Sequence, residues 1–119
     1  MHGLTIGRTG TETDSDIYRI LVDRLWPRGV VKTRRSWDAW FKDLAPTSDL
    51  RKWYGHEPER YTEFRRRYWV ELEQHRAGPA MLQLLSIWHE QPIMLVTATK
   101  NVDLSHVPVL RDFLWHIMD

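Results

Sequence analysis

A chain of 119 residues, 42% apolar and 28% charged, has room for one hydrophobic core and a composition that folds. Its formal charge of +1 exerts no general pull on nucleic acid or membrane, so any anion site must be a local cluster. The absence of cysteine excludes disulfides, thiol catalysis and thiolate metal sites.

Leu4 to Gly7 reads as a short strand, and the polar RTGTETDSD that follows has the composition of an exposed, mobile loop. Tyr18 to Val22 is a nearly continuous apolar, β-branched run, the pattern of a strand buried on both faces. It runs straight into DRLWPRG at Asp23 to Gly29, which carries an acid, two arginines, a tryptophan and a proline where a plain connection needs only turn formers. Val30 to Asp43 is ambiguous. Trp37, Trp40 and Phe41 recur at helical spacing, yet no cap starts a helix, so the expectation is a loop with a short helix.

Thr47 opens a short helix that Gly55 stops. Pro58 opens a longer one with Tyr61, Phe64, Tyr68 and Leu72 as its apolar stripe, ended by Gly78. The charged run Arg65-Arg66-Arg67 reads as a solvated helix face, because Glu63 and Glu71 each lie four residues from Arg67. Pro79 starts a third helix with Met81, Leu82, Leu85 and Trp88 inward. Ile93 to Val96 is a second apolar strand, and Ser105 caps a final helix lined by Val107, Leu110, Leu114 and Ile117. No repeat or interdomain linker interrupts residues 1–119. Strands separated by helices predict a single small α/β layered domain with a mostly parallel central sheet flanked by helices.

In such sheets ligands bind beyond the carboxyl ends of the strands, which is where DRLWPRG and TATKNVDLSH fall. Arg24 and Arg28 suit an anion, Trp26 offers a flat surface for stacking, and Asp23 is either a base or the partner of an arginine. An internal ion pair between Asp23 and the arginines, with Trp26 plugging the core, is the alternative. Thr97 and Lys100 stand at the second strand end, just before a helix start suited to phosphate or carboxylate. His56, between two helices, can transfer protons near neutral pH or cap a helix end. The histidines show no metal spacing, and neither a P-loop nor a nucleophile elbow is present, so no metal or cofactor is expected.

Taken together, YRILVDRLWPRG, then DLAPTSDLRKWYGHEPERYTEFRRRY, then a strand followed by a lysine and a histidine before VLRDFL, resemble the YeaO-like family of domains of unknown function. These are small bacterial and archaeal proteins, and the resemblance runs from about Tyr18 to Leu114. It implies a compact α/β cytoplasmic protein without assigning a reaction. The family positions kept here are Asp23, Arg24, Trp26, Pro27, Arg28, Gly29, Trp53, Gly55, His56, Lys100, His106 and Arg111. After its last strand the family reads Lys-Asp, two variable residues, then His-Asn-His. This chain reads KNVDLSH, with Asn101 at the acid position, Leu104 at the first histidine and Ser105 at the asparagine. An Asp-His or two-histidine arrangement would thus have lost a partner, while the binding half is intact.

The expectation is a protein that binds, and acts on, an anionic small molecule such as a phosphorylated or nucleotide-like ligand. Arg24, Arg28, Trp26, Lys100 and Thr97 would bind it, and Asp23, His56 and His106 would handle protons. The alternatives are a non-catalytic module for a ligand or nucleic acid, and a purely structural ionic network. Sequence leaves the oligomeric state open.

Overall fold

A computed structural model of the chain describes residues 1–118 and shows an α/β fold in which four strands form one all-parallel sheet in the order β1-β4-β2-β3. The strands are β1 (Leu4–Arg8), β2 (Tyr18–Leu21), β3 (Ala39–Trp40) and β4 (Ile93–Thr97). β4 lies between β1 and β2, with Leu4 to Arg8 matched to Ile93 to Thr97 on one side and Tyr18 to Leu21 matched to Ile93 to Val96 on the other. β4 is paired at both edges and packed against a core on each face, which is why all five of its residues are buried.

The helices are α1 (Ser48–Tyr54), α2 (Tyr61–Gln74), α3 (Pro79–Glu90) and α4 (Val107–Met118). Thr47 caps α1 by accepting the Leu50 N–H at 3.3 Å, and Gly55 ends it in the left-handed conformation at φ 56°. At α4 the Ser105 hydroxyl accepts the Val107 N–H at 3.2 Å. No helix among the described residues is long and apolar enough to cross a membrane.

The sheet's two faces are covered by different means. Ile20, Val22, Ile93 and Leu95 point to one face, where Phe64, Tyr68, Leu72, Met81, Leu84, Trp88, Leu110 and Phe113 of the helices complete the main core. Leu21, Met94 and Val96 alternate to the other face, and there Trp37 closes the core, with Ile17, Trp26, Val30 and Trp40 around it. These residues come from the β1–β2 and β2–β3 connections and from β3, not from a helix. A parallel crossover must cover the sheet on its way back, usually with a helix. Here tryptophans held in irregular chain supply the apolar cover instead.

Three expectations are corrected in detail. Residues 30–43 hold a two-residue strand, β3, between single turns of 3-10 helix at Lys32–Arg34 and Lys42–Leu44. The helical spacing of Trp37 and Trp40 arises from packing against a sheet, and a two-residue strand is too short to show alternation. On α3, Leu82 is 55% exposed and Leu84 takes the inward position, one turn from Met81 and from Trp88. On α2, Glu63 alone holds Arg66 and Arg67, at 2.8 and 2.7 Å, and its carboxyl is pushed down to about 2 by the two guanidinium hydrogen bonds. Glu71 instead accepts the backbone N–H and hydroxyl of Thr47, pinning the start of α1 to α2.

Candidate functional site

Asp23 follows the buried end of β2 and sits where the chain leaves the sheet. One carboxylate oxygen, Oδ2, accepts the N–H of Ala98 at 2.8 Å, which ties the end of β2 to the end of β4. The other, Oδ1, is buried and has no hydrogen-bond partner among the described residues, and His106 Nε2 stands 3.5 Å from it. Neither arginine of DRLWPRG pairs with Asp23. Arg24 donates from Nε to the Pro46 carbonyl at 3.0 Å and from a terminal nitrogen to the Ala45 carbonyl at 3.1 Å. Its guanidinium is therefore a clamp on the turn before α1. Arg28 is exposed, and its side chain has no hydrogen bond or ion pair among the described residues.

Trp26 donates its indole N–H to the Val30 carbonyl at 2.6 Å, closing the loop on itself. Its ring meets Trp37 edge-on at 5.0 Å between centroids and Trp40 at 5.4 Å. Trp40 in turn donates to the Asp23 carbonyl at 2.7 Å. The tryptophans thus fix the path of DRLWPRG, which is why so charged a connection can be rigid.

Between this loop, the carboxyl end of α1 and the segment after β4 lies a cleft of about 440 Å³. It is lined by Asp23, Arg24, Trp26 and Arg28 of the loop, by Arg51 and His56 of α1 and the turn after it, and by Ala98, Thr99 and His106 of the segment after β4. Arg51, like Arg28, is exposed and without a side-chain partner among the described residues. Sequence reasoning passed over Arg51, because a lone arginine on a short helix has no signal until the helix is placed. Thr97 is buried and bonds Thr99, hydroxyl to hydroxyl at 3.1 Å, and Lys100 is exposed; neither lines the cleft. Of the residues singled out from sequence, Asp23, Arg24, Trp26, Arg28, His56 and His106 are brought together.

His106 is 9% exposed, and its Nε2 lies 2.9 Å from the Val22 carbonyl. A carbonyl only accepts, so Nε2 carries the hydrogen and Nδ1 keeps its lone pair when the ring is neutral. Burial lowers the imidazole below its ordinary value against the opposing pull of Asp23 and the Val22 carbonyl, and nearby His56 lowers it further. The backbone that carries His106 is held by α1 and α2: Tyr54 donates to the Leu104 carbonyl and Tyr61 to the Ser105 carbonyl at 2.8 Å. Burial pushes the Tyr61 hydroxyl up to about 12, so it remains a donor at neutral pH.

His56 adopts φ 58°, directly after Gly55 at φ 56°, and is the one non-glycine residue with positive φ among those described. The left-handed conformation costs a residue with a Cβ roughly 1–2 kcal/mol, a strain of the kind that collects at functional positions. We expect His56→Gly to stabilise the fold by about 0.5–1 kcal/mol in chemical denaturation. An equal or lower stability would show that the imidazole makes compensating contacts.

Set against known proteins, residues 6–119 match a family described as the inactive DUF488-N3 subclade. The chain belongs to this subclade. This DUF488-N3 chain is 44% identical over 100 residues to the uncharacterized protein YeaO of Escherichia coli (strain K12), covering 84% of the chain and 85% of YeaO. It is 41% identical over 99 residues to the uncharacterized protein Rv3073c of Mycobacterium tuberculosis (strain ATCC 25618 / H37Rv), covering 83% of the chain and 81% of that protein. The YeaO-like resemblance read from the motifs is therefore met over most of the DUF488-N3 chain. No solved structure matches it.

Proposed function

We propose that the cleft binds a small organic anion and holds it without turning it over. The observation that carries this reading is the pair Arg28 and Arg51, two exposed arginines that line one concavity and have no side-chain partner among the described residues. Other arginines find carboxylates, Arg65 with Asp112, Arg66 and Arg67 with Glu63, and Arg76 with Glu73; Arg8 and Arg34 are also exposed and without a side-chain partner among the described residues, but neither lines the cleft. Asp23, the carboxylate lining the cleft, is occupied by Ala98 and faces His106. A planar fork without a partner is suited to a carboxylate or phosphate, and Trp26 supplies an apolar wall for the rest of the ligand. Binding without turnover agrees with the description of the subclade as inactive and with Asn101 and Leu104 at positions where the YeaO-like resemblance implies an acid and a histidine.

One observation favours a second reading. Asp23 and His106 adjoin the cleft as a close carboxylate–imidazole pair, an arrangement able to move a proton. Calorimetry with a panel of phosphate esters and carboxylates tests both. Arg51→Ala and Arg28→Ala should each weaken binding at least tenfold, about 1.4 kcal/mol, and prolonged incubation should return the ligand unchanged. Wild-type affinity in both variants would remove the cleft as the site, and product formation would establish the second reading. Oligonucleotide binding with a steep salt dependence would instead point to nucleic acid.

A further inference from the structure

The polar groups of the cleft are not distributed evenly. Its exposed side presents donors, Arg28 and Arg51, which have no protein partner among the described residues. The buried side presents acceptors. His106 has committed its Nε2 hydrogen to the Val22 carbonyl, which leaves Nδ1 as a lone pair. Nδ1 has no hydrogen bond among the described residues and, unlike Asp23 Oδ1, is not a sealed atom. The Asp23 carboxylate, with Oδ1 3.5 Å from Nε2, lines the same part of the cleft, and its negative charge repels an incoming anion at that end. A volume of about 440 Å³ far exceeds a bare phosphate and leaves room for an organic body between the two ends.

We infer that the cleft selects a two-ended ligand, an organic phosphate or carboxylate that places its anion between Arg28 and Arg51 and donates a hydrogen bond from a hydroxyl or amine to His106 Nδ1. This rests on the reading of the cleft as an anion site and adds the orientation and class of what it takes. The charged and titratable groups around the ring are consistent with that orientation. Asp23 lies beside it, the Tyr68 ring packs against it edge-on with centroids 5.8 Å apart, and His56 lies near enough to disfavour a second positive charge. A sugar phosphate and a nucleoside monophosphate share this chemistry, the first offering hydroxyls and the second an amine besides.

Four probes separate the possibilities: adenosine 5′-monophosphate, ribose 5-phosphate, phenyl phosphate, which has a planar body and no donor, and inorganic phosphate. Calorimetry should find at least one of the first two binding tenfold or more tighter than phenyl phosphate. Tighter binding by both assigns the donor to a sugar hydroxyl, and by the adenosine ester alone to the amine. NMR titration of the His106 ring in the wild-type protein should show its protonation midpoint fall on saturation, because the ligand's donor needs the neutral ring. The midpoint belongs to the ring and is separate from the ligand's own titration. His106→Gln should remove the preference over phenyl phosphate while keeping inorganic phosphate binding, and the wild-type titration stands if that variant does not fold. A midpoint that rises on binding, or equal affinity for phenyl phosphate and the hydroxylated esters, overturns the orientation while leaving the anion site in place. Failure of all four probes to bind overturns the anion site itself.

Discussion

Arg24→Ala should lower the thermal midpoint by roughly 10 °C, whereas Arg28→Ala, four residues further on, should leave it within about 1 °C of wild type and weaken ligand binding at least tenfold. Both arginines belong to DRLWPRG and look equivalent in sequence. In the fold, the Arg24 guanidinium bridges the Ala45 and Pro46 carbonyls in a partly buried position. Removing it strips two charge-assisted hydrogen bonds and leaves two carbonyls without their donors, in total about 3 kcal/mol. Lysine is a poor substitute, because one ammonium does not reproduce the fork that spans both carbonyls, so Arg24→Lys should recover less than half of the loss. Arg28 makes no such bond and its removal exposes nothing. Differential scanning calorimetry of the three variants decides the matter. An Arg24→Ala protein as stable as wild type would return Arg24 to the ligand-binding role that the sequence suggests.

The second large effect is expected at Trp37. Trp37→Ala should destabilise by about 4 kcal/mol, near the middle of the range for truncating a buried tryptophan. Trp37 is 4% exposed and is the buried aromatic that seals Leu21, Met94 and Val96 on the sheet face that has no helix. Against a total stability of roughly 5–15 kcal/mol, such a loss leaves a protein close to its unfolding threshold. The damage should reach the cleft, because Trp26 rests edge-on against Trp37 and sets the path of DRLWPRG. Trp37→Phe should lose less, under about 2 kcal/mol, since it keeps a ring in place and deletes a buried indole N–H that has no acceptor among the described residues. Trp115→Ala is the control: at 48% exposure it should change the urea midpoint little. If Trp37→Ala proved as mild as Trp115→Ala, the second sheet face would be held by something other than its tryptophans.

Tryptophan is where the limits of sequence reading are clearest. Seven of them signal aromatic packing, yet Trp37 and Trp40 at helical spacing lie over and within a sheet, while Trp115 on α4 is half exposed. The helices were legible because periodicity, caps and prolines are local: Thr47, Gly55, Pro79 and Ser105 act within a few residues of themselves. Leu82 shows the precision of that reading, since one position along a helix is about 100°, enough to move a side chain from core to solvent.

Sequence by itself determined the α/β class, the two central strands, the four helices and the location of DRLWPRG at a strand's carboxyl end. Each follows from hydrophobic period and chain punctuation, which are properties of neighbouring residues. Tertiary structure alone decided what the charged residues of that stretch do. Asp23 meets Ala98 and His106, Arg24 meets Ala45 and Pro46, and His106 meets Val22, across separations of 75, 22 and 84 residues for Ala98, Pro46 and Val22. Hydrogen bonding is short-ranged in space and indifferent to distance along the chain. Thus a sequence names the donors and acceptors of DRLWPRG, and the fold selects which are spent on holding the chain together and which are left facing the cleft.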